Sequence, residues 1–194
     1  MRGYHHLMPV QLASADAVNA LVHLLDEVKP IAHAATIREL ACCKFIEEAQ
    51  NVFIIGPSGV GKSHLAESLG HEACRRGFDV LCYRTHKLFE WINAGRGDGS
   101  YQRRIGQIIK IPMLILDDFG LQSMPEVQQE DLYEVICERY ERKPLVITSN
   151  RDLSEWSSVF SNSLIASAAM DRLVHRAVEI VIDVEEIPVG ESGS

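Results

Sequence analysis

Along this chain, short runs in which nearly every residue is apolar alternate with longer stretches in which apolar residues recur every three or four positions. The short runs are NVFIIG (51–56), FDVLCYR (78–84), MLILD (113–117), PLVITSN (144–150) and VEIVIDV (178–184). Runs this short and this apolar, ended by Gly, Pro or polar residues, predict strands buried on both faces. Between them, SHLAESLGHEACRRG sets Leu65, Ala66, Leu69 and Ala73 on one helical face and stops at Gly77. KLFEWINAG and YQRRIGQIIK predict two helices around a glycine-rich loop, GRGDG (95–99). EVQQEDLYEVICERYER (126–142) predicts an amphipathic helix, and IASAAMDRLVHR (165–176) another. Strands alternating with helices predict an α/β fold built on a parallel sheet.

The ends differ from this pattern. AVNALVHLLDEV places Val18, Leu21, Val22, Leu25 and Val28 at helical spacing before Pro30, which predicts a short helical extension over residues 1–37. VGESGS predicts a disordered tail over 188–194. Residues 38–187 are left as one domain.

Composition narrows the class. No apolar run approaches the roughly 20 residues a membrane helix needs, and MRGYHHLMPVQLAS is too short and mixed in its apolar part for a signal peptide. Five cysteines without a CxxC pair or a Cys/His cluster argue for reduced thiols and a cytoplasmic setting. A net charge of −8 argues against coating nucleic acid through overall charge. The charge is uneven, however: Arg84 to Lys110 holds six Lys/Arg against two acids, while Glu179 to Glu191 holds five acids and no base.

The chemistry concentrates at strand ends. GPSGVGKS fits G-x-x-x-x-G-K-[ST] and falls between a predicted strand and a predicted helix. Such a loop, here Gly56, Pro57, Ser58, Gly59, Val60, Gly61, Lys62 and Ser63 followed by His64, turns backbone N–H groups toward phosphate oxygens. Gly59 and Gly61 permit the curl, Lys62 reaches the β- and γ-phosphates, and the Ser63 hydroxyl ligates Mg²⁺. MLILD then runs into Asp117 and Asp118, a like-charge pair that repels unless something offsets it. On a strand lying beside the P-loop strand, Asp117 holds Mg²⁺ through water and Asp118 orients or deprotonates the attacking water. Aspartate is one methylene shorter than the glutamate common at the second position, which predicts slow turnover or completion by a partner. The bland alternative is a solvated Asp-Asp turn.

ITSN ends a buried strand in polar residues, so Asn150 is a candidate for the γ-phosphate or its water; otherwise it is a turn-former. Arg172 and Arg176 lie four apart on one helical face, and Arg172 is the candidate for an arginine finger supplied to a neighbouring subunit. A surface salt-bridge role is the alternative for Arg172.

GPSGVGKSHLA, LILDDFG, ITSNRDLSEW and AAMDRLVHRA, in this order, resemble the AAA+ ATPases of the IstB/DnaC type. RELACCKFIEEAQNVFIIG resembles the family's entry into the domain, part of its adenine pocket. The resemblance implies a P-loop NTPase three-layer sandwich with a five-stranded parallel sheet in the order 5-1-4-3-2. It implies ATP and Mg²⁺ as ligands, oligomers formed on DNA, and delivery of a transposase or a replicative helicase. SEWSSVF and MDRL favour the helper proteins of insertion-sequence transposition over the helicase loaders. The family's helical insert falls at Lys87 to Lys110, the basic stretch, which makes Arg96, Arg103, Arg104 and Lys110 candidate phosphate contacts on duplex DNA. Two departures stand out: residues 1–37 do not look like the family's longer basic N-terminal domain, and IPVGESGS replaces its basic, aromatic end. A nucleotide-switched binding module with little turnover is a further reading. A small-molecule kinase is disfavoured, since no lid with phosphate-clamping arginines is recognisable.

Overall fold

The computed structural model describes residues 34–182, so the helix expected near 17–28 and the tail expected at 188–194 lie outside the described residues. Helices α1 (Ala34–Leu40) and α2 (Lys44–Glu47) precede strand β1 (Val52–Ile55). Then come α3 (Lys62–Arg75), β2 (Val80–Arg84), α4 (Thr85–Asp98), α5 (Tyr101–Lys110) and β3 (Met113–Asp117). The chain continues through α6 (Glu126–Arg139), β4 (Leu145–Ser149), a 3₁₀ helix (Leu153–Val159), α7 (Ser163–Val174) and β5 (Val178–Val181).

The five strands form one sheet in the order β2-β3-β4-β1-β5, with every pairing parallel. This is the order the family resemblance implies, read from the other edge. It also corrects one expectation: β3 does not lie beside β1, because β4 separates them. Alternate strand residues enter two cores, as a pleated strand requires. Val52, Ile54, Met113, Ile115 and Val146 pack with α3 residues Leu65 and Leu69 and with Ile37 and Phe45. Phe53, Ile55, Leu114, Leu116 and Ile147 pack on the other face with residues of α4, α5, α6, α7 and the 3₁₀ helix. Burying each such side chain contributes about 1.5–3 kcal/mol. Ile37, only 1% exposed, belongs to the first core, so α1 crosses the boundary expected at residue 38.

The stretch expected as a GRGDG loop is mostly helical, since α4 continues to Asp98 and turns at Gly99 with φ 74°. A Cβ at Gly95 would sit 2.9 Å from the backbone nitrogen of Tyr101, so glycine lets the start of α5 close against α4. The helix expected over 126–142 ends at Arg139, which is 1% exposed. Its guanidinium donates to the carbonyls of Ile108 and Ile111 at 2.8 Å each and of Pro144 at 2.6 Å. The cation thus satisfies the open carbonyl end of α5 and joins it to the start of β4. Burial pushes the Arg139 pKa down to about 9, which leaves the group charged at neutral pH.

Candidate functional site

Gly56 follows β1, and a Cβ there would collide with the Ile182 carbonyl oxygen, so the exit from the strand requires glycine. Gly59 and Gly61 have φ of 86° and 92°, and Gly61 is the N-cap of α3. The loop therefore curls as the motif demands and opens onto the N-terminal end of a fourteen-residue helix. Lys62 is 6% exposed and its Nζ donates to the Pro57 carbonyl at 2.6 Å. Burial lowers its pKa, while the carboxylates of Asp118 and Asp117 oppose that shift. The lysine is thus held over the loop by groups that prefer it charged.

Asp117 ends β3, and a chain of hydroxyls carries its contact across the intervening β4. Its Oδ1 accepts from Ser63 Oγ at 2.7 Å and from Thr148 Oγ1 at 2.5 Å. The Thr148 hydroxyl in turn accepts from the Asp118 backbone N–H at 3.1 Å. Thr148 thereby fixes both acids, and the next strand residue, Ser149, donates to the Phe119 carbonyl at 2.9 Å. The polar end of ITSN thus has one task that the sequence did not assign: Thr148 and Ser149 hold the β3 terminus. Asn150 Nδ2 donates to Ser58 Oγ in the P-loop at 3.0 Å.

Asp118 has φ 56°, a left-handed conformation that Asp tolerates better than most residues. Arg84 Nε, at the end of β2, lies 3.8 Å from its Oδ2. Together with the loop, the two acids and Asn150 form one open polar cluster at the C-terminal end of the sheet. That is where α/β folds place ligands. The Ser63 hydroxyl and the Asp117 carboxylate converge on one point, an all-oxygen donor pair of the kind Mg²⁺ takes, so the residues present fit that ion. Glu67, one turn beyond Ser63 on α3, adds a further acid; burial first and Asp117 second raise its pKa. Its place one turn after the motif's serine was a signal the sequence offered.

Arg172 does not join this cluster. Asn51, at the start of β1, donates to the Leu173 carbonyl and accepts from the Leu145 N–H, both at 2.9 Å. The end of α7 therefore lies at the opposite, N-terminal ends of the strands, about 13 Å of strand away from the chain's own P-loop. Arg172 Nη1 donates to the Ala168 carbonyl of its own helix at 2.7 Å, and its guanidinium faces the Tyr133 ring at 5.8 Å. Arg176 lines a small cleft together with Arg172, Asn51 and Glu141, is exposed, and makes no ion pair among the described residues.

The four candidate DNA contacts divide. Arg96 forms a two-pronged pair with the buried Asp131 at 2.8 and 2.9 Å and lies 4.1 Å from the Tyr101 ring. Arg104 donates to the Trp91 carbonyl and to Asp98, each at 2.5 Å. Both are engaged in joining α4 to its neighbours, while Arg103 and Lys110 are exposed on α5. No described helix is long and apolar enough to cross a membrane.

Comparison with known proteins identifies the family and the fold. The family described as IstB-like ATP binding protein matches residues 8–188. A protein named as an insertion-sequence ATP-binding protein from Sinorhizobium fredii is 42% identical over 74% of this chain and 58% of its own length. One from Mycobacterium tuberculosis is 37% identical over 77% of this chain and 60% of its own. This chain thus spans about three fifths of the length of those relatives. Among solved structures, DnaI superposes with a TM-score of 0.68 at 22% identity, over 78% of this chain and 85% of that one. The DnaC helicase loader superposes with a TM-score of 0.65 at 21% identity, over 77% of this chain and 87% of that one. Replication initiator DnaA bound to AMPPCP and single-stranded DNA gives 0.69 at 22% identity, over 89% and 52%. At such identities these structures establish the fold, a P-loop AAA+ sandwich.

Proposed function

Because this chain belongs to the IstB-like ATP-binding protein family, we propose that it binds Mg–ATP in the P-loop, hydrolyses it, and serves as an ATP-dependent helper of DNA transposition. The observation that carries the reading is the hydrogen-bond chain Ser63–Asp117–Thr148–Asp118 beside a loop that Asn150 reaches from the neighbouring strand. Magnesium, when bound, would neutralise charge on the phosphates. Ser63 and Asp117 would hold it. Loop N–H groups and the start of α3 bind the phosphates, and Lys62 exchanges the Pro57 carbonyl for phosphate oxygens. Asp118 accepts a proton from the attacking water as that water's oxygen bonds to the γ-phosphorus and the bond to ADP breaks. Asn150 orients the water or the γ-phosphate.

Arg172, by the N-terminal ends of the strands, meets a nucleotide only when a second copy presents its P-loop to that side. A homo-oligomer with a finger in trans is the arrangement that fits. DNA is the proposed surface on which the copies assemble, with Arg103 and Lys110 as its free phosphate contacts and a transposase as the partner delivered. Insertion-sequence relatives support that partner. The fold shared with the DnaC loader keeps a helicase as the alternative. Phosphate release measured with and without DNA tests the reading. Turnover stimulated by duplex more than by single strands is expected, and loss of Arg103 and Lys110 together should lower the salt slope by about 1.8. No phosphate release with either DNA, and no duplex binding at low salt, would overturn it.

A further inference from the structure

Trp156 is wholly buried, although it sits on a short 3₁₀ helix in the connection after β4. Its indole lies between two rings, 4.9 Å from Phe53 of β1 and 4.7 Å from Phe119, the residue after Asp118. Its Nε1 donates to the Arg151 carbonyl, the residue after Asn150, at 3.1 Å. Arg151 N–H donates to Ser149 Oγ at 3.1 Å, and that hydroxyl donates to the Phe119 carbonyl at 2.9 Å. The Phe119 N–H closes the circuit on the Thr148 carbonyl at 2.8 Å. The helix that carries Trp156 is itself fixed by a reciprocal cap between Asp152 and Glu155.

One side chain thus touches the strand that feeds the P-loop, the residue after the proposed hydrolytic acid, and the residue after the proposed γ-phosphate amide. We infer that Trp156 is a positioning residue that sets Asp118 and Asn150 in register with each other and with the P-loop. The inference rests on the ATPase reading above. A rigid indole suits the task because its two ring contacts and its single N–H tie three segments together at once. Such a coupler works in both directions: a γ-phosphate that draws Asn150 away from Ser58 pulls on the Arg151 carbonyl and so on the indole.

Two measurements decide it. Trp156→Phe keeps the ring packing and deletes the N–H. It should slow phosphate release by about 10- to 100-fold while ATP affinity stays within about twofold, the split expected when alignment and not binding is lost. Equal turnover per folded molecule, or turnover and affinity falling together, would overturn the inference while leaving the ATPase reading intact. The second arm needs no turnover. The chain has two tryptophans, so Trp91→Phe leaves Trp156 as the sole one. Its emission should then differ between Mg–ADP and a non-hydrolysable Mg–ATP analogue. Identical emission with both nucleotides bound would overturn the inference, even if Trp156→Phe failed to fold. If wild-type protein released no phosphate, hydrolysis would fail as a function and the emission arm would still decide.

Discussion

At the C-terminal ends of β1, β3 and β4, polar side chains lean on one another and still present groups outward. Lys62 rests on a loop carbonyl, Asn150 rests on Ser58 and is exposed, and Asp118 faces Arg84 at 3.8 Å and the Lys62 charge. At the opposite ends of the same strands the polar groups are turned to backbone, with the Arg139 Nε left unpartnered. Arg139 delivers its guanidinium to carbonyls of α5 and β4, and Asn51 uses both its donor and its acceptor on the flanking backbone. The difference separates a site from a joint: a buried charge whose partners are all backbone can do no chemistry, whereas charges held by exchangeable contacts can trade them for a ligand.

Substitutions at the two ends should therefore fail in different ways. Asp118→Asn keeps shape and removes the base, so phosphate release should fall by about 10²–10⁴ while ATP affinity changes little. Unchanged turnover would remove Asp118 from the mechanism. Arg139→Met, at the other end, leaves several carbonyls without a donor. It should cost about 3 kcal/mol in denaturant unfolding and leave ATP affinity per folded molecule as it was. An affinity loss there would mean the two ends are not separable.

How far the sequence made this contrast visible differs by residue. The inner strands β1, β3 and β4 followed from uniformly apolar runs, and the order from motif resemblance. Strands β2 and β5, expected to be buried on both faces, are only partly buried because they form the sheet edges. The P-loop and the Asp117–Asp118 pair were legible because their chemistry is local in sequence. Thr148 and Trp156 were not, since each acts across a strand pairing or a ring contact that only the fold creates. Arg139 reads as a surface residue by type, yet it continues the apolar stripe Leu132, Val135, Ile136 at helical spacing, a signal that could have marked it as buried. Gly95 and Gly97 suggested a loop because propensity disfavours glycine in helices, but packing of α5 against α4 prevailed.

Smaller effects sharpen the comparison. Thr148→Val removes the hydroxyl that joins the two acids and should lower turnover by about tenfold, at a stability cost of about 1–2 kcal/mol. Glu67 has its carboxyl pKa raised by burial and by Asp117, so its folded form favours the proton. The stability that proton brings is full below its ordinary value of 4.5 and is lost as pH rises through the raised folded value. Glu67→Gln should therefore raise Tm on the order of 1 °C near pH 7, with the gain vanishing toward pH 4. A gain that grows on acidification would contradict that sign.

Everything at the C-terminal end of the sheet depends on the P-loop gripping a nucleoside triphosphate. Titration calorimetry of Mg–ATP into the folded wild-type chain and into Lys62→Ala tests this most directly. Saturable heat is expected for the wild type and its loss in the variant; no heat from the wild type, or equal heat from both, would mean the loop does not grip the triphosphate.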